Sequence, residues 1–324
     1  MRAALCRSYG PPEVVQVADL SAPALATGQV RVRVGAASVN FSDVLLVANE
    51  YQMSVPTPFV PGSEFAGVVT EVAEGVGEVA VGDRVTGTGL FGAFAEEAVV
   101  ATRSVVRVPG SVDERVAAAF GVAHRTAYHA LRSMARIRPG EELVVLGAGG
   151  GVGLAAVEIG VLLGASVTAV ASSAEKLAAA ESRGARNLVN HRAGELRPAL
   201  RKLLPGGADV VIDPVGGDLA EPALRTLHWA GRFVTLGYAS GTVPRIPLNL
   251  VLLKGIQVLG FQLRDFAANL PDDFRRNEAE IAELLAEGRL LPHIGAVFGL
   301  DEVAAALRHV ADGRAVGKVV LTIS

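Results

Sequence analysis

The stretch VVLGAGGGVGLAAV, residues 144–157, joins an apolar run to a glycine cluster and an alanine-rich segment. Gly147, Gly150 and Gly153 recur at every third position, and residues 148–153 read A-x-G-x-x-G. Glycines between a strand and a helix allow a tight turn, close approach of a pyrophosphate and close packing of helix on strand. The free N–H groups of the helix N-terminus favour an anion. The stretch predicts a dinucleotide-binding turn, although a tight βα turn without a ligand has the same pattern.

Length, composition and charge restrict the class of protein. A chain of 324 residues exceeds one ordinary core, which predicts two domains. Hydrophobic residues make up 50% of it, and 30 Lys and Arg oppose 33 Asp and Glu, for a net charge of −3. This balance argues against a nucleic-acid partner. The single cysteine, Cys6, excludes a disulfide within the chain and a thiolate-rich metal site.

The sequence carries no recognisable targeting or membrane segment. The opening MRAALCRSYGPPEVVQV lacks the long apolar core of a signal peptide. No run of about 18 apolar residues is free of charges and glycine breaks. We therefore expect a soluble, cytoplasmic enzyme without a membrane partner.

The hydrophobic pattern changes along the chain and divides it into two predicted domains. Residues 1–118 contain alternating strands such as QVRVRVGAASV and Gly-rich turns, which predict an antiparallel β-barrel. Residues 119–261 alternate short buried strands with helices, which predicts an α/β domain with a doubly wound parallel sheet. The tail, 262–324, breaks this rhythm, and we expect it to complete the first domain. The six predicted buried strands lie in ELVVLGAG, SVTAVASS, RNLVN, DVVIDPVG, RFVTLGY and IQVLGF.

The residues after the glycine turn favour NADPH over NADH. An NAD site usually has an acid about 20 residues after the turn, bonded to the ribose 2′-hydroxyl. Here that region holds Ser172 and Ser173, followed by Lys176, and the next strand ends in His191 and Arg192. Hydroxyls and cations suit a 2′-phosphate, which a carboxylate would repel. Ser172 together with the acid three residues later also fits a helix capping box, and both interpretations stay open.

The chain also resembles a known family in motifs that keep their order over nearly its whole length. These are SVNFSDVL (38–45), PFVPGSEFAGVV (58–69), VGDRV (81–85), RTAYHAL (125–131), GAGGGVGLAA (147–156), SSAEKL (172–177) and GKVVL (317–321). They resemble the zinc-independent, zeta-crystallin-like quinone oxidoreductases of the medium-chain dehydrogenase/reductase superfamily. The resemblance implies a GroES-like catalytic domain, a Rossmann domain and an active site in the cleft between them.

Zinc-dependent members of that superfamily hold the metal with Cys, His and Glu, and this chain departs from their pattern. Asn40-Phe41-Ser42-Asp43 stands where the cysteine motif would lie, and Gly62-Ser63-Glu64 replaces Gly-His-Glu. A tetrahedral zinc site needs three good protein ligands. We therefore expect no metal, and we expect Glu64 to be a structural hydrogen-bonding residue.

The resemblance also implies roles for individual residues. Asn40 would approach the nicotinamide or the substrate carbonyl, and Thr126 would contact the nicotinamide region. Some family members carry a Tyr five residues after this Asn, where this chain departs from the family with Leu45, and we expect Tyr51 to line the pocket instead. Asn40, Thr126 and Tyr51 are the candidate catalytic residues. The candidate cofactor-binding residues are Gly150, Gly151, Val152 and Gly153 at the pyrophosphate, Ser172, Lys176, His191 and Arg192 at the adenosine end, Gly237 and Phe261 at the nicotinamide, and Lys318 from the C-terminal motif.

Together these observations predict an NADPH-dependent oxidoreductase that transfers hydride to a quinone or similar conjugated carbonyl without zinc. An enone or enoyl-thioester reductase is the alternative within the same fold. A non-enzymatic, crystallin-like NADPH-binding protein is an alternative of another class. The resemblance further implies a homodimer, formed by pairing the strand near GIQVLGF (255–261) with its two-fold copy.

Overall fold

A computed structural model describes residues 1–323, which form two compact units. The first unit contains residues 1–122 and the segment from Leu291 onward, and the second is Ala123–Leu290. The strands are β1 (Arg2–Cys6), β2 (Val15–Asp19), β3 (Gln29–Val39), β4 (Glu64–Val72), β5 (Arg84–Thr88), β6 (Glu97–Ala101), β7 (Val105–Arg107), β8 (Glu142–Leu146), β9 (Ser166–Ala171), β10 (Asn187–Asn190), β11 (Ala208–Asp213), β12 (Leu227–Thr235), β13 (Gln257–Gly260), β14 (Ile294–Gly299) and β15 (Lys318–Thr322). The helices are α1 (Phe41–Ala48), α2 (Glu114–Phe120), α3 (Ala123–His129), α4 (Gly151–Leu162), α5 (Ala174–Ser182), α6 (Leu196–Leu203), α7 (Ala220–Leu224), α8 (Leu248–Lys254), α9 (Leu263–Asn269), α10 (Pro271–Ala286) and α11 (Val303–Ala311).

The first unit is built on a largely antiparallel sheet in which β3 is central. Over residues 1–323 the strand order is β14-β15-β3-β4-β5-β7, with β6 also paired to β3. The alternation in β3 explains its position, because Val30, Val32 and Val34 are fully buried whereas Arg33 is exposed. The antiparallel β-rich architecture predicted for the N-terminal region is therefore present.

The second unit contains a parallel sheet of order β10-β9-β8-β11-β12-β13 within residues 123–290. Counted from β8, this is the 3-2-1-4-5-6 order of a Rossmann fold. All the strands predicted for this region are present, and β8 is buried from Leu143 to Leu146, as a central parallel strand should be. The predicted α/β class with a doubly wound parallel sheet is confirmed.

The C-terminal tail is shared between the two units, and the boundary lies at a different residue from the expected one. The last strands do return to the first unit, since β15 pairs antiparallel with β3. Helices α9 and α10, however, group with the second unit, which extends to Leu290 instead of ending at 261. The reason is a set of side-chain bonds, in which Glu278 and Glu280 of α10 bind polar residues of α3. No helix within residues 1–323 is long and apolar enough to cross a membrane.

Candidate functional site

The glycine turn has the geometry that its sequence predicts. Gly147 follows β8 with φ +60°, and Gly150 is the N-cap of α4. A Cβ on Gly153 would lie 2.1 Å from the carbonyl oxygen of Gly147, so any larger residue would push the helix off the strand. The helix begins at Gly151, and its first N–H groups have no acceptor within the helix. The backbone of Gly151 and Val152 is therefore available for an anion.

The predicted adenosine-end cations group beside this turn. A Cβ on Gly149 would lie 2.4 Å from Cβ of Lys176, so the stem of that lysine packs against the turn. Burial lowers the pKa of Lys176, and the charge of Arg192 lowers it further. Burial, followed by the charges of Arg192 and Lys176, also lowers the pKa of His191. The three side chains lie after the neighbouring strands β9 and β10, and we call them the cationic cluster. Lys176 and Arg192 supply its charge, because the lowered pKa keeps His191 mainly neutral at neutral pH.

The cap of α5 differs by one residue from the capping box considered in the sequence. Ser173, not Ser172, is the N-cap, and its hydroxyl accepts a hydrogen bond from the Lys176 N–H at 3.3 Å. The helix begins at Ala174, which makes Lys176 rather than Glu175 the third helical residue. Ser172 takes no part in the cap and is partly exposed, so the cap does not compete for its hydroxyl.

Three residues predicted near the nicotinamide, Thr126, Gly237 and Phe261, also belong to the second unit. Gly237 follows β12, and Phe261 follows the adjacent β13, where its N–H donates to the Thr235 carbonyl at 3.1 Å. Thr126 lies on α3 and is partly exposed. A Cβ on Gly237 would make ordinary contact with its surroundings, so packing alone does not require glycine there.

Asn40 is the centre of a polar cluster in the first unit. It is the N-cap of α1, and the Asp43 carboxylate accepts its backbone N–H at 2.7 Å. The Asn40 side chain is therefore free to bond elsewhere. Its Nδ2 donates to Ser63 Oγ at 3.1 Å and to Glu64 Oε1 at 2.9 Å, and its Oδ1 accepts from Lys318 Nζ at 2.6 Å.

Strand register explains why residues far apart in sequence meet at Asn40. Val319 of β15 lies opposite Val39 of β3, and Glu64 of β4 lies opposite Ser38 of β3. Lys318, Asn40 and Glu64 therefore converge where β3 ends and β15 and β4 begin.

Glu64 is fully hydrogen bonded, as predicted for a structural residue. Its Oε1 accepts from Lys318 Nζ at 2.5 Å, and its Oε2 accepts from the Val122 N–H at 2.8 Å. Glu64 is 0% exposed and Lys318 is 3% exposed, so the two form a buried ion pair. The lysine predicted to reach a cofactor thus has its ammonium group bonded to Asn40 and Glu64.

Asp43 is a further buried acid of this cluster, and the sequence motifs predicted no role for it. It is 0% exposed, and its Oδ1 has no hydrogen-bond partner among the described residues. Burial raises the pKa of Asp43 to about 7, and the charge of Glu64 adds to the rise. The available sequence signal was the N-cap spacing of an Asn followed three residues later by an acid.

The remaining predicted catalytic residue, Tyr51, packs partly buried against the apolar core of the first unit.

No group of three His, Cys, Asp or Glu side chains in residues 1–323 has an arrangement that could hold a metal ion. Cys6 is buried in β1, and its Sγ donates to the Ser8 carbonyl at 3.3 Å.

Each of the two units contains a segment that matches a known protein family. Residues 26–110 match the family model described as an alcohol dehydrogenase GroES-like domain, and residues 151–283 match the one described as a zinc-binding dehydrogenase. The chain is 39% identical to quinone oxidoreductase-like protein 2 of Bos taurus, over 99% of this chain and 92% of that protein. It is 30% identical to the quinone oxidoreductase of Homo sapiens, over 100% of this chain and 98% of that protein.

A solved structure agrees as well. The quinone oxidoreductase of Escherichia coli complexed with NADPH has a TM-score of 0.93 and 26% identity, with 100% of both chains covered. The fold and the glycine turn are those of a medium-chain dehydrogenase/reductase. Within that superfamily, the chain belongs to the quinone oxidoreductase family.

Proposed function

We propose that this protein is an NADPH-dependent oxidoreductase that reduces a quinone or similar conjugated carbonyl without zinc. The observation that carries the proposal is the glycine turn together with the cationic cluster of Lys176, His191 and Arg192. The turn offers free N–H groups at the N-terminus of α4, which suit a pyrophosphate. The cluster offers positive charge that would suit the 2′-phosphate of NADPH. The NADPH complexes among similar quinone oxidoreductases support this choice.

The cationic cluster fits a phosphate better than it fits a bare hydroxyl. Burial and mutual repulsion lower the pKa of Lys176 and of His191, so a nearby anion would relieve an unfavourable arrangement. Lys176 and Arg192 would hold the 2′-phosphate, and Ser172 would add a hydroxyl donor. Gly150 to Gly153 would hold the pyrophosphate, and Gly237 and Phe261 would meet the nicotinamide.

Bound NADPH would supply the hydride for the conjugated acceptor. The contribution of the chain is to bind and orient the reactants and to polarise the acceptor carbonyl. Asn40 suits a positioning role, because both Nδ2 hydrogens are already bonded, to Ser63 and Glu64, and its Oδ1 accepts from a buried ammonium. Tyr51 and Thr126 would line the acceptor and nicotinamide positions.

The chemistry of these side chains supports independence from zinc. Ser63 replaces an expected ligand, and Asn40-Phe41-Ser42-Asp43 stands in place of the cysteine motif. The remaining acid, Glu64, is already bonded to the Lys318 ammonium. A cation inserted beside Glu64 would have to displace a buried, bonded ammonium of the same sign. The Lys318 ammonium would thus occupy the position beside Glu64 that a metal ion would need.

We further propose a homodimer formed through β13. This strand is an edge of the parallel sheet, and Val258 on it is 45% exposed. Trp229 and three leucines of α8 are also exposed large apolar residues of the second unit. An unpaired edge of this character favours pairing with a second copy.

The cofactor preference is tested with Lys176→Ala, with Lys202→Ala as the control. Lys202 is an exposed lysine on α6, outside the cationic cluster. A charge-assisted phosphate contact contributes about 1.5–3 kcal/mol, so Lys176→Ala should raise the Kd for NADPH about tenfold or more. The Kd for NADH should change little, and Lys202→Ala should leave both values unchanged. An equal loss for NADPH and NADH in Lys176→Ala would contradict recognition of the 2′-phosphate by this lysine.

A further inference from the structure

His129 is a buried residue of the second unit whose role is not explained by the proposed chemistry. It is the last residue of α3, one helical turn after Thr126, and it is 0% exposed. Both of its ring nitrogens are bonded to α10. Nε2 lies 2.8 Å from Glu278 Oε1, and Nδ1 lies 3.0 Å from Asn277 Nδ2. Because the amide of Asn277 donates, Nδ1 accepts and Nε2 carries the proton, which fixes one tautomer.

The partners of His129 are themselves held in place. Glu278 also accepts from Arg125 Nε at 2.9 Å. Burial alone would raise the pKa of Glu278, but the bonds from His129 and Arg125 outweigh it and hold the pKa below its usual value. Asn277 is 0% exposed and donates also to Ser133 Oγ at 2.9 Å. The imidazole is thus held by a closed polar network, which allows a single ring orientation.

Aromatic contacts connect this imidazole to the region predicted to meet the nicotinamide. The His129 ring stacks on Phe274, with centroids 5.0 Å apart and an angle of 11° between planes. It also contacts the Phe266 ring at 4.9 Å, and Phe266 contacts Phe261 at 5.4 Å. Phe261 follows β13, so one continuous set of contacts runs from α3 to the end of that strand.

The backbone after His129 is unusual. Residues Ala130–Met134 form a π-helical turn directly after α3. Such turns are rare and occur often at functional sites. Here the π-turn carries Ser133, which accepts from Asn277 and from Arg276 at 3.1 Å. The distortion therefore belongs to the same network as the imidazole.

We propose that His129 is a positioning residue for the nicotinamide subsite. The proposal rests on the proposed function, in which Thr126 and Phe261 both meet the nicotinamide. His129 lies on the helix of Thr126 and contacts Phe261 through Phe266, so its ring fixes the two residues relative to each other. Loss of its hydrogen bonds lets α3 shift against the end of β13. A displacement of about 1 Å in such a support costs on the order of 100-fold in rate.

The test compares His129→Phe with Tyr128→Phe. His129→Phe keeps an aromatic ring for Phe266 and Phe274 but removes both hydrogen bonds. Tyr128→Phe is matched, because it removes a 2.7 Å bond from the same helix to Glu280 of α10 and lies outside the imidazole network. Two quantities are measured: the single-turnover rate of hydride transfer from NADPH to 1,4-benzoquinone, and the affinities for NADPH and for 2′,5′-ADP, which lacks the nicotinamide.

For His129→Phe we expect hydride transfer to fall on the order of 100-fold. NADPH should bind more weakly, whereas 2′,5′-ADP should bind as to the wild type. Tyr128→Phe should retain the wild-type rate and both affinities. Equal rates in His129→Phe and Tyr128→Phe, or an equal loss of affinity for both ligands, would overturn the positioning role.

Glu278→Gln provides a second variant that keeps a hydrogen-bond acceptor for His129 and removes the charge. Glu278→Gln should show the same pattern with a smaller loss, about tenfold in rate. Unchanged hydride transfer in Glu278→Gln would overturn the proposal even if His129→Phe does not fold. The two proposals fail in different ways. If the wild type binds both 2′,5′-ADP and NADPH and the variants behave like the wild type, only the role of His129 is overturned. A wild-type protein that binds neither ligand overturns the proposed function, and this inference with it.

Discussion

Asp43 should make the stability of the first unit depend on pH in an unusual direction. Most acids of folded proteins have lowered pKa values, which stabilise the fold as pH rises. Burial instead raises the pKa of Asp43 to about 7, against 3.8 for the free group. The folded chain therefore keeps a proton on Asp43 after the unfolded chain has released its own. Stability from this group is complete below about pH 4 and is lost as pH rises to about 7.

The expected magnitude follows from the size of the shift. One pKa unit corresponds to about 1.36 kcal/mol. Between about pH 5 and about pH 8, stability falls only until the pH reaches the folded-state pKa of about 7. The loss therefore extends over about two pH units, which corresponds to roughly 3 kcal/mol. This is an upper limit, since relaxation around a buried carboxylate reduces the cost of ionisation.

Asp43→Asn removes the titration and keeps an oxygen that can accept the Asn40 N–H. The free energy of unfolding is measured by denaturant titration at both pH values, with hydrogen exchange of the α1 amides reporting on the first unit. Wild type should lose up to roughly 3 kcal/mol more than Asp43→Asn between about pH 5 and about pH 8. Asp19→Asn, at an exposed aspartate of β2, is the control and should follow wild type. An equal pH dependence of wild type and Asp43→Asn would refute the reasoning.

Three further predictions follow from the site and the sheet edge. Lys318→Met leaves the fully buried Glu64 without its cation and should cost about 3–5 kcal/mol of unfolding free energy. Adding Glu64→Gln should restore part of this loss, and a Lys318→Met variant as stable as wild type would contradict the buried pair. Asn40→Ala or Tyr51→Phe should lower quinone turnover about ten- to a hundredfold with NADPH affinity retained, and complete loss in either would instead indicate an obligatory proton donor. Val258→Lys on the edge strand β13 should shift a dimer toward monomer in light scattering, and a wild-type monomer at micromolar concentration would contradict the proposed interface.

The glycine turn could be predicted in detail because its physics is local. The requirement for glycine comes from the positive φ of Gly147 and from the close approach of Gly153 to the Gly147 carbonyl, and the strand and helix around them have clear patterns. The serine cap shows the limit of local patterns. Ser172 and Ser173 are adjacent and chemically identical, so only the path of the chain determines which hydroxyl caps α5.

Contacts between distant segments could not be predicted in the same way. The motif resemblance led to Asn40, Glu64 and Lys318 separately, but their bonds depend on the register of β3, β4 and β15. The assignment of α10 to the second unit depends on bonds such as that from His129 to Glu278, which lie far apart in sequence. A charged amphipathic helix indicates that it packs on something, but not on which domain. His129 accordingly had no sequence signal beyond that of a core or surface residue.

The most direct test of the proposed function is the oxidation of NADPH by metal-free protein in the presence of a quinone and a chelator. Absorbance of the reduced nicotinamide is followed with 1,4-benzoquinone as acceptor, before and after dialysis against the chelator, and again after zinc is added. We predict quinone-dependent turnover that survives the chelator and gains nothing from zinc. Turnover that disappears with the chelator and returns with zinc, or no quinone-dependent oxidation in any of the three conditions, would contradict the account.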